Sequence, residues 1–177
     1  MSDKKLLEEI EERAITYSQQ YKACSQCTLL ALQEVFGLTN DAVLKASSGF
    51  AGGIGRMGSV CGALSGGVMA LGLLYGRDEE TMKHPDEAVR SQRWEEIEGK
   101  LCILIKKLRS KFEEEYGTII CDDIEVKLFG RSFDKWNPEE RDEKARLGGY
   151  EGKCPTVVGN AARWTAELIM EERGEKS

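Results

Sequence analysis

The feature that most constrains the fold is a run of twenty consecutive uncharged residues between Arg56 and Arg77. The run is as long as a helix that crosses a bilayer core, about 20 residues. Six of its residues are glycine, however, and the rest of the chain is charged and amphipathic. Because glycine lets a helix pack closely against its neighbours, the run predicts a buried helix at the centre of a protein and no membrane span.

Most other apolar residues recur at helical spacing, so the sequence predicts an all-α fold. We expect one domain, residues 1–177, built as a helical bundle around the glycine-rich helix. The expected helices cover approximately residues 3–21, 25–36, 41–48, 59–76, 86–116, 121–129 and 155–173. The polar segment 130–153 is expected to be mostly loop, with one helical turn after Pro138. Only residues 117–121, GTIIC, are ambiguous between helix and strand.

The charge pattern excludes one broad class of function. The net charge is −6, and the 32% of charged residues mix both signs along the chain. A nucleic-acid-binding protein would show a clustered basic face. The first residues, MSDKKLLEEIEER, lack the apolar run of a secretory signal, so we expect a cytoplasmic protein. The sequence leaves a homodimer open and identifies no redox partner.

Sulfur is the expected carrier of any chemistry. The chain has one histidine, which excludes a site that needs two imidazoles, and six cysteines, too few for a disulfide scaffold. In a cytoplasmic chain such thiols serve more often as ligands, redox groups or small buried side chains.

The positions of the cysteines separate them into two groups. Cys61, Cys121 and Cys154 stand at predicted helix boundaries, and Cys24 forms a CxxC with Cys27 near the start of the second helix. Cys102 lies in the middle of the long helix between two apolar residues, which favours a structural role. Since a helix N-terminus stabilises a thiolate, we expect Cys61 to be the most acidic thiol of the metal-free protein, with Arg56 a candidate for added positive charge.

Four of these cysteines carry a family resemblance. Residues 61–66 read CGALSG after a glycine-rich GFAGGIGRMGS, residues 24–29 read CSQCTL, residues 117–121 read GTIIC, and residues 154–158 read CPTVV. In this order, over about residues 10–172, the chain resembles the C_GCAxxG_C_C family of redox-active proteins. The resemblance implies four functional cysteines: Cys24, Cys61, Cys121 and Cys154. Cys27 departs from the family pattern, because that position is normally small and apolar.

The sequence leaves several functions open. The leading hypothesis is an iron–sulfur cluster for electron transfer, held by Cys24, Cys61, Cys121 and Cys154, with the backbone at Gly62 and Gly66 close to the cofactor. The second is a thiol/disulfide oxidoreductase with Cys61 as the reactive thiol. A structural zinc site with four cysteine ligands and a helical interaction module with unreactive thiols are the others. For a shared centre, the four cysteines must converge in the fold while Cys102 stays apart.

Overall fold

A computed structural model describes residues 3–174 of the chain, and 77% of the chain is helical. The helices are α1 (Asp3–Tyr21), α2 (Cys24–Phe36), α3 (Asp41–Ser47), α4 (Gly62–Tyr75), α5 (Glu79–Met82), α6 (Glu87–Tyr116), α7 (Cys121–Phe129), α8 (Pro138–Arg146) and α9 (Cys154–Arg173). Within residues 3–174 there is no strand, only one isolated antiparallel bridge between Val60 and Ile120. The predicted all-α fold is confirmed.

Local sequence signals account for most helix ends. The C-terminal residues that follow α2, α6 and α7 are Gly37, Gly117 and Gly130, and each adopts a left-handed conformation that glycine allows at low cost. At the N-termini, Asn40 accepts a hydrogen bond from the backbone of α3, and Asp86 accepts one from the backbone of α6.

Helix α4 lies at the centre of the bundle and packs against α2, α6 and α9. Its glycines permit this close approach. A Cβ atom on Gly66 would lie 2.9 Å from the Cβ of Thr28 on α2, and one on Gly67 would lie 3.0 Å from Leu108 on α6. The glycine-rich run is therefore a buried helix, as its composition indicates. None of the helices within residues 3–174 combines the length and the apolarity that crossing a membrane requires.

The structure differs from the helices predicted from the sequence in three places. Helix α4 begins at Gly62 and not near residue 59, because Val60 pairs with Ile120 in the isolated bridge. The segment 130–153, expected to be mostly loop, contains α8 and a π-helical turn at Gly149–Lys153. Only one side chain of α8 is buried, and it is the charged Lys144. Hydrophobic periodicity therefore could not reveal this helix. The short helix α5 was not expected either.

Cys102 lies away from the core. Only the C-terminal half of α6 is buried, through Leu104, Leu108, Phe112 and Tyr116. Cys102 lies outside this stripe and is exposed, as is its neighbour Ile103. Cys102 therefore does not have the structural role in the core that its apolar neighbours favoured, since those neighbours do not define the buried face.

Candidate functional site

Four cysteines stand at the N-termini of four different helices. Cys24, Cys121 and Cys154 are the first residues of α2, α7 and α9, and Cys61 is the N-cap residue of α4. A helix N-terminus carries a partial positive charge and backbone N–H groups without intrahelical acceptors. Each of these four positions therefore favours a negatively charged sulfur.

The isolated bridge places Cys61 beside Cys121. The N–H of Cys61 donates to the carbonyl of Ile119 at 2.9 Å, and the N–H of Cys121 donates to the carbonyl of Ser59 at 2.7 Å. Each cysteine is one residue beyond the bridged pair Val60 and Ile120. Because side chains alternate along extended backbone, the two sulfurs leave the bridge on the same side.

The thiol of Cys24 lies against Gly62, the residue that follows Cys61. Its Sγ lies 2.5 Å from the position that a Cβ on Gly62 would occupy, so any larger residue after Cys61 would displace the thiol. The charge of a Cys24 thiolate would raise the pKa of Cys61, of Cys121 and of Cys154. Gly62 and the isolated bridge thus bring Cys24, Cys61 and Cys121 to the start of α4. The effect of Cys24 on Cys154 indicates that the start of α9 is close enough for their charges to interact.

Burial dominates the acidity of Cys61. Its side chain is almost fully buried, which raises the pKa of the thiol well above its ordinary value, and negative charge at Cys24 and Cys121 adds to the effect. The amides of Ala63 and Leu64 at the start of α4 lower the pKa, as the sequence argument expected, but by less than burial raises it. The expectation of an acidic Cys61 thiol is therefore wrong in direction for the metal-free protein.

Two buried lysines lie beside the other cysteines. Burial raises the pKa of Cys121 to about 12, and the positive charge of Lys135 opposes this rise. Burial also raises the pKa of Cys154, and the positive charge of Lys144 opposes this rise. Each of these two cysteines therefore has its own ammonium partner.

One carboxylate holds both lysines. Glu125 is 1% exposed, and its Oε1 accepts from Lys144 Nζ at 2.6 Å. Its Oε2 accepts from Lys135 Nζ at 3.0 Å and from the backbone N–H of Phe133 at 3.1 Å. Lys135 also bonds to the half-exposed Asp122. This buried group of Lys135, Glu125 and Lys144, which we call the lysine clamp, carries two positive charges and one negative charge.

Sequence reasoning missed the lysine clamp. Glu125 is four residues after Cys121 on α7, and both lysines belong to the segment 130–153, which we call the lysine segment. In a chain with 32% charged residues, buried charges have no composition signal of their own. The one local hint is the aromatic pair Phe133 and Trp136 on either side of Lys135.

The remaining candidate residues lie around this region. Cys27 is 1% exposed in the hydrophobic core, where burial raises its pKa to about 11. Gly66 is one helical turn beyond Gly62, and its close neighbours are atoms of Ser25, Thr28 and Leu29 on α2. Cys102 is exposed on α6, as described above.

Arg56 belongs to the loop before α4, which borders Cys121. Residues 49–60, which we call the glycine turn, include Gly53, whose Cβ would lie 2.8 Å from the Cβ of Cys121. Arg56 is exposed, and its guanidinium lies 5.9 Å from the ring centre of Trp136. A surface cleft of about 340 Å³ lies between the glycine turn and the lysine segment, lined in part by Arg56, Asp122 and Lys135.

The ligand type of the site is thiol sulfur. Cys24, Cys61, Cys121 and Cys154 are all free cysteines, and thiolate sulfur is the ligand that both a structural zinc ion and an iron–sulfur cluster use. Among residues 3–174, no three histidine, cysteine or acidic side chains are grouped closely enough to hold one metal ion. In a cluster the cysteines bind different iron atoms, so a cluster does not need the thiols to surround one ion.

Comparison with known proteins places the chain among relatives. A family model described as "Putative redox-active protein (C_GCAxxG_C_C)" matches residues 22–168. An uncharacterized protein of Archaeoglobus fulgidus is 25% identical over 170 residues, which cover 94% of this chain and 97% of that protein. No solved structure matches the chain significantly.

Proposed function

Because the chain belongs to the C_GCAxxG_C_C family, we propose that it is an electron-transfer protein in which Cys24, Cys61, Cys121 and Cys154 hold an iron–sulfur cluster. The observation that supports the proposal is that four free cysteines stand at four helix N-termini, with two buried lysines beside the helices that carry them. When bound, such a cluster would accept and donate single electrons.

The residues around the thiols suit this role. Ligand cysteines must be thiolates, and four thiolates in a buried site need positive charge nearby. The helix N-termini and the lysine clamp supply it. Gly62 leaves room for Cys24, and burial of Cys61 keeps water from one side of the centre. The family's Gly66 contributes by letting α2, which carries Cys24, approach α4.

The thiol/disulfide oxidoreductase is less well supported. An attacking thiol reacts as the thiolate, and burial raises the pKa of Cys61 well above its ordinary value. A Cys61 nucleophile would therefore be mostly protonated at neutral pH. The zinc alternative requires the thiols to be grouped around one ion, and no three candidate ligands are grouped in this way within residues 3–174.

The test is to measure the iron and sulfide content of the protein after purification without oxygen. We expect iron and acid-labile sulfide in proportion to protein, with an electron paramagnetic resonance signal after one-electron reduction. Serine at position 24, 61, 121 or 154 should reduce the iron content strongly. Cys102→Ser is the matched control, since Cys102 is exposed on α6, and it should retain the wild-type iron content. Cys27→Ala should also retain it if Cys27 is only a core residue.

Two other results would replace the proposal. Zinc without sulfide would favour the structural metal site. A metal-free protein with a reversible disulfide among the four cysteines would favour the oxidoreductase.

A further inference from the structure

The lysine clamp contains more positive charge than its own carboxylate can balance. The side chains of Lys135 and Lys144 are 9% and 8% exposed, and that of Glu125 is 2% exposed. Removing charges from water costs several kcal/mol per ion, and an unbalanced buried cation is the costlier case. Asp122 offsets part of the excess at Lys135 from a half-exposed position, but Lys144 has Glu125 as its only ion-pair partner among residues 3–174.

The excess charge is directed at two cysteines. Glu125 lies one helical turn after Cys121 on α7 and binds one lysine with each carboxylate oxygen. As a result, Lys135 Nζ is held against Asp122, the residue after Cys121. The positive charge of Lys135 acts on the Cys121 thiol, and that of Lys144 acts on the Cys154 thiol. One carboxylate thus sets the position of two cations against two separate sulfurs.

We propose that Lys135 and Lys144 are positioning residues that hold fixed positive charge against the four-cysteine centre and thereby raise its reduction potential, with Glu125 setting the size of the effect. This inference rests on the proposed function. One-electron reduction adds one negative charge to the cluster, the electron coming from an external donor. The lysines stay protonated throughout, and no proton moves.

The sign of the effect follows from electrostatics. A nearby cation stabilises the more negative, reduced state, and a nearby anion destabilises it, most strongly at buried sites where solvent screens little. Removing either lysine should lower the midpoint potential, whereas removing the charge of Glu125 should raise it. A residue that only supports the fold would not produce opposite shifts of this kind.

The experiment is a spectroelectrochemical titration of the cluster-loaded protein. Lys135→Met and Lys144→Met each remove one cation, and Glu125→Gln removes the anion while keeping the shape. We expect each single change to shift the equilibrium between oxidised and reduced protein about tenfold, equivalent to about 59 mV for one electron. The double variant K144M/E125Q restores the net charge and should return close to the wild-type potential.

Lys45→Met serves as the charge control, because Lys45 is exposed on α3 and pairs with Asp41. Its potential should equal that of the wild type. The two lysine variants report independently, so the loss of either through misfolding leaves the other to be compared in sign with Glu125→Gln.

The outcomes distinguish the two claims. Wild-type protein without iron and sulfide overturns the proposed function, and the inference with it. Cluster-loaded variants whose potentials do not move, or all move in one direction, overturn the inference and leave the proposed function standing.

Discussion

The glycine turn and the lysine segment both border the helix that begins at Cys121, and they are built on different physical principles. The glycine turn uses backbone conformation: residues 52–56 all have positive φ, between 58° and 76°. The lysine segment uses charge: it brings two ammonium groups to a buried carboxylate. The comparison teaches that a site can be shaped on one side by the absence of side chains and on the other by long charged ones.

The glycine turn is a short left-handed coil, which is rare because each L-residue in it costs about 1–2 kcal/mol. Its backbone closes on itself, since the N–H of Gly58 donates to Gly52 and that of Ser59 donates to Gly53. Ile54 and Arg56 adopt the same conformation without being glycine, at φ of 58° and 64°. Strain of this kind persists only where the surroundings hold it in place.

The largest expected effect comes from removing the carboxylate of the lysine clamp. Glu125→Ala leaves two buried ammonium groups without their shared partner, so we expect the free energy of unfolding to fall by about 3–5 kcal/mol. Chemical denaturation of the metal-free protein measures this. Glu113→Ala is the control, because Glu113 pairs with Arg109 in an exposed i,i+4 arrangement and should cost only about 0.3–0.5 kcal/mol. Equal losses for the two variants would mean that the clamp does not stabilise the fold.

The next largest effect comes from adding a side chain within the glycine turn. Gly53→Ala should destabilise the protein by about 2–4 kcal/mol, because its Cβ would lie 2.6 Å from the backbone nitrogen of Ser59 and because its φ is +76°. Gly55→Ala has a φ of +58° but meets nothing within 4 Å, so it should cost only about 1–2 kcal/mol. The difference between the two melting curves isolates the steric contribution. Identical curves would contradict the close packing of the turn on Cys121.

A smaller effect tests the left-handed backbone conformation of the glycine turn at Arg56. Arg56→Gly and Arg56→Ala remove the same contacts with Trp136, but only alanine retains a Cβ at a φ of 64°. We expect the glycine variant to be more stable by about 1 kcal/mol. Within a right-handed helix the order reverses, and Gly72→Ala on α4, which meets nothing within 4 Å, should gain about 0.5–1 kcal/mol. An Arg56→Ala variant at least as stable as Arg56→Gly would argue against the left-handed turn.

The smallest effect concerns pH in the metal-free protein. Burial raises the pKa of Cys27 from 9.0 to about 11 and that of Cys121 to about 12. The unfolded chain then loses protons that the folded chain keeps, so stability is complete below about pH 9 and declines as the pH rises toward 11–12. Between pH 8 and about pH 9.5, Cys27 alone should account for a loss of about 0.8 kcal/mol.

Denaturation at both pH values checks this pH dependence. Cys27→Ala should remove its share of the decline, whereas Cys102→Ala, at an exposed position, should leave the decline unchanged. A wild-type protein whose stability is constant up to pH 10 would contradict the burial of these thiols.

Much of the fold could be predicted, because its signals are local. Helical spacing of apolar residues, capping residues such as Asn40 and terminal glycines such as Gly117 placed most helices within a few residues. The glycine-rich run indicated a helix buried at the centre. Helix α8 escaped prediction because its one inward side chain, Lys144, is charged.

The sequence by itself placed Cys61, Cys121 and Cys154 at helix boundaries and Cys24 in a CxxC, and the family resemblance singled out these four cysteines. Only the tertiary structure decided what surrounds them. Two of these features are contacts between residues far apart in the chain: the isolated bridge at Val60 and Ile120, and the lysine clamp. The burial of Cys61 likewise depends on elements far apart in the chain. Burial is also why the tertiary structure reversed the expected acidity of Cys61: a helix N-terminus acts through the adjacent residues, whereas loss of solvent depends on every element packed around the thiol.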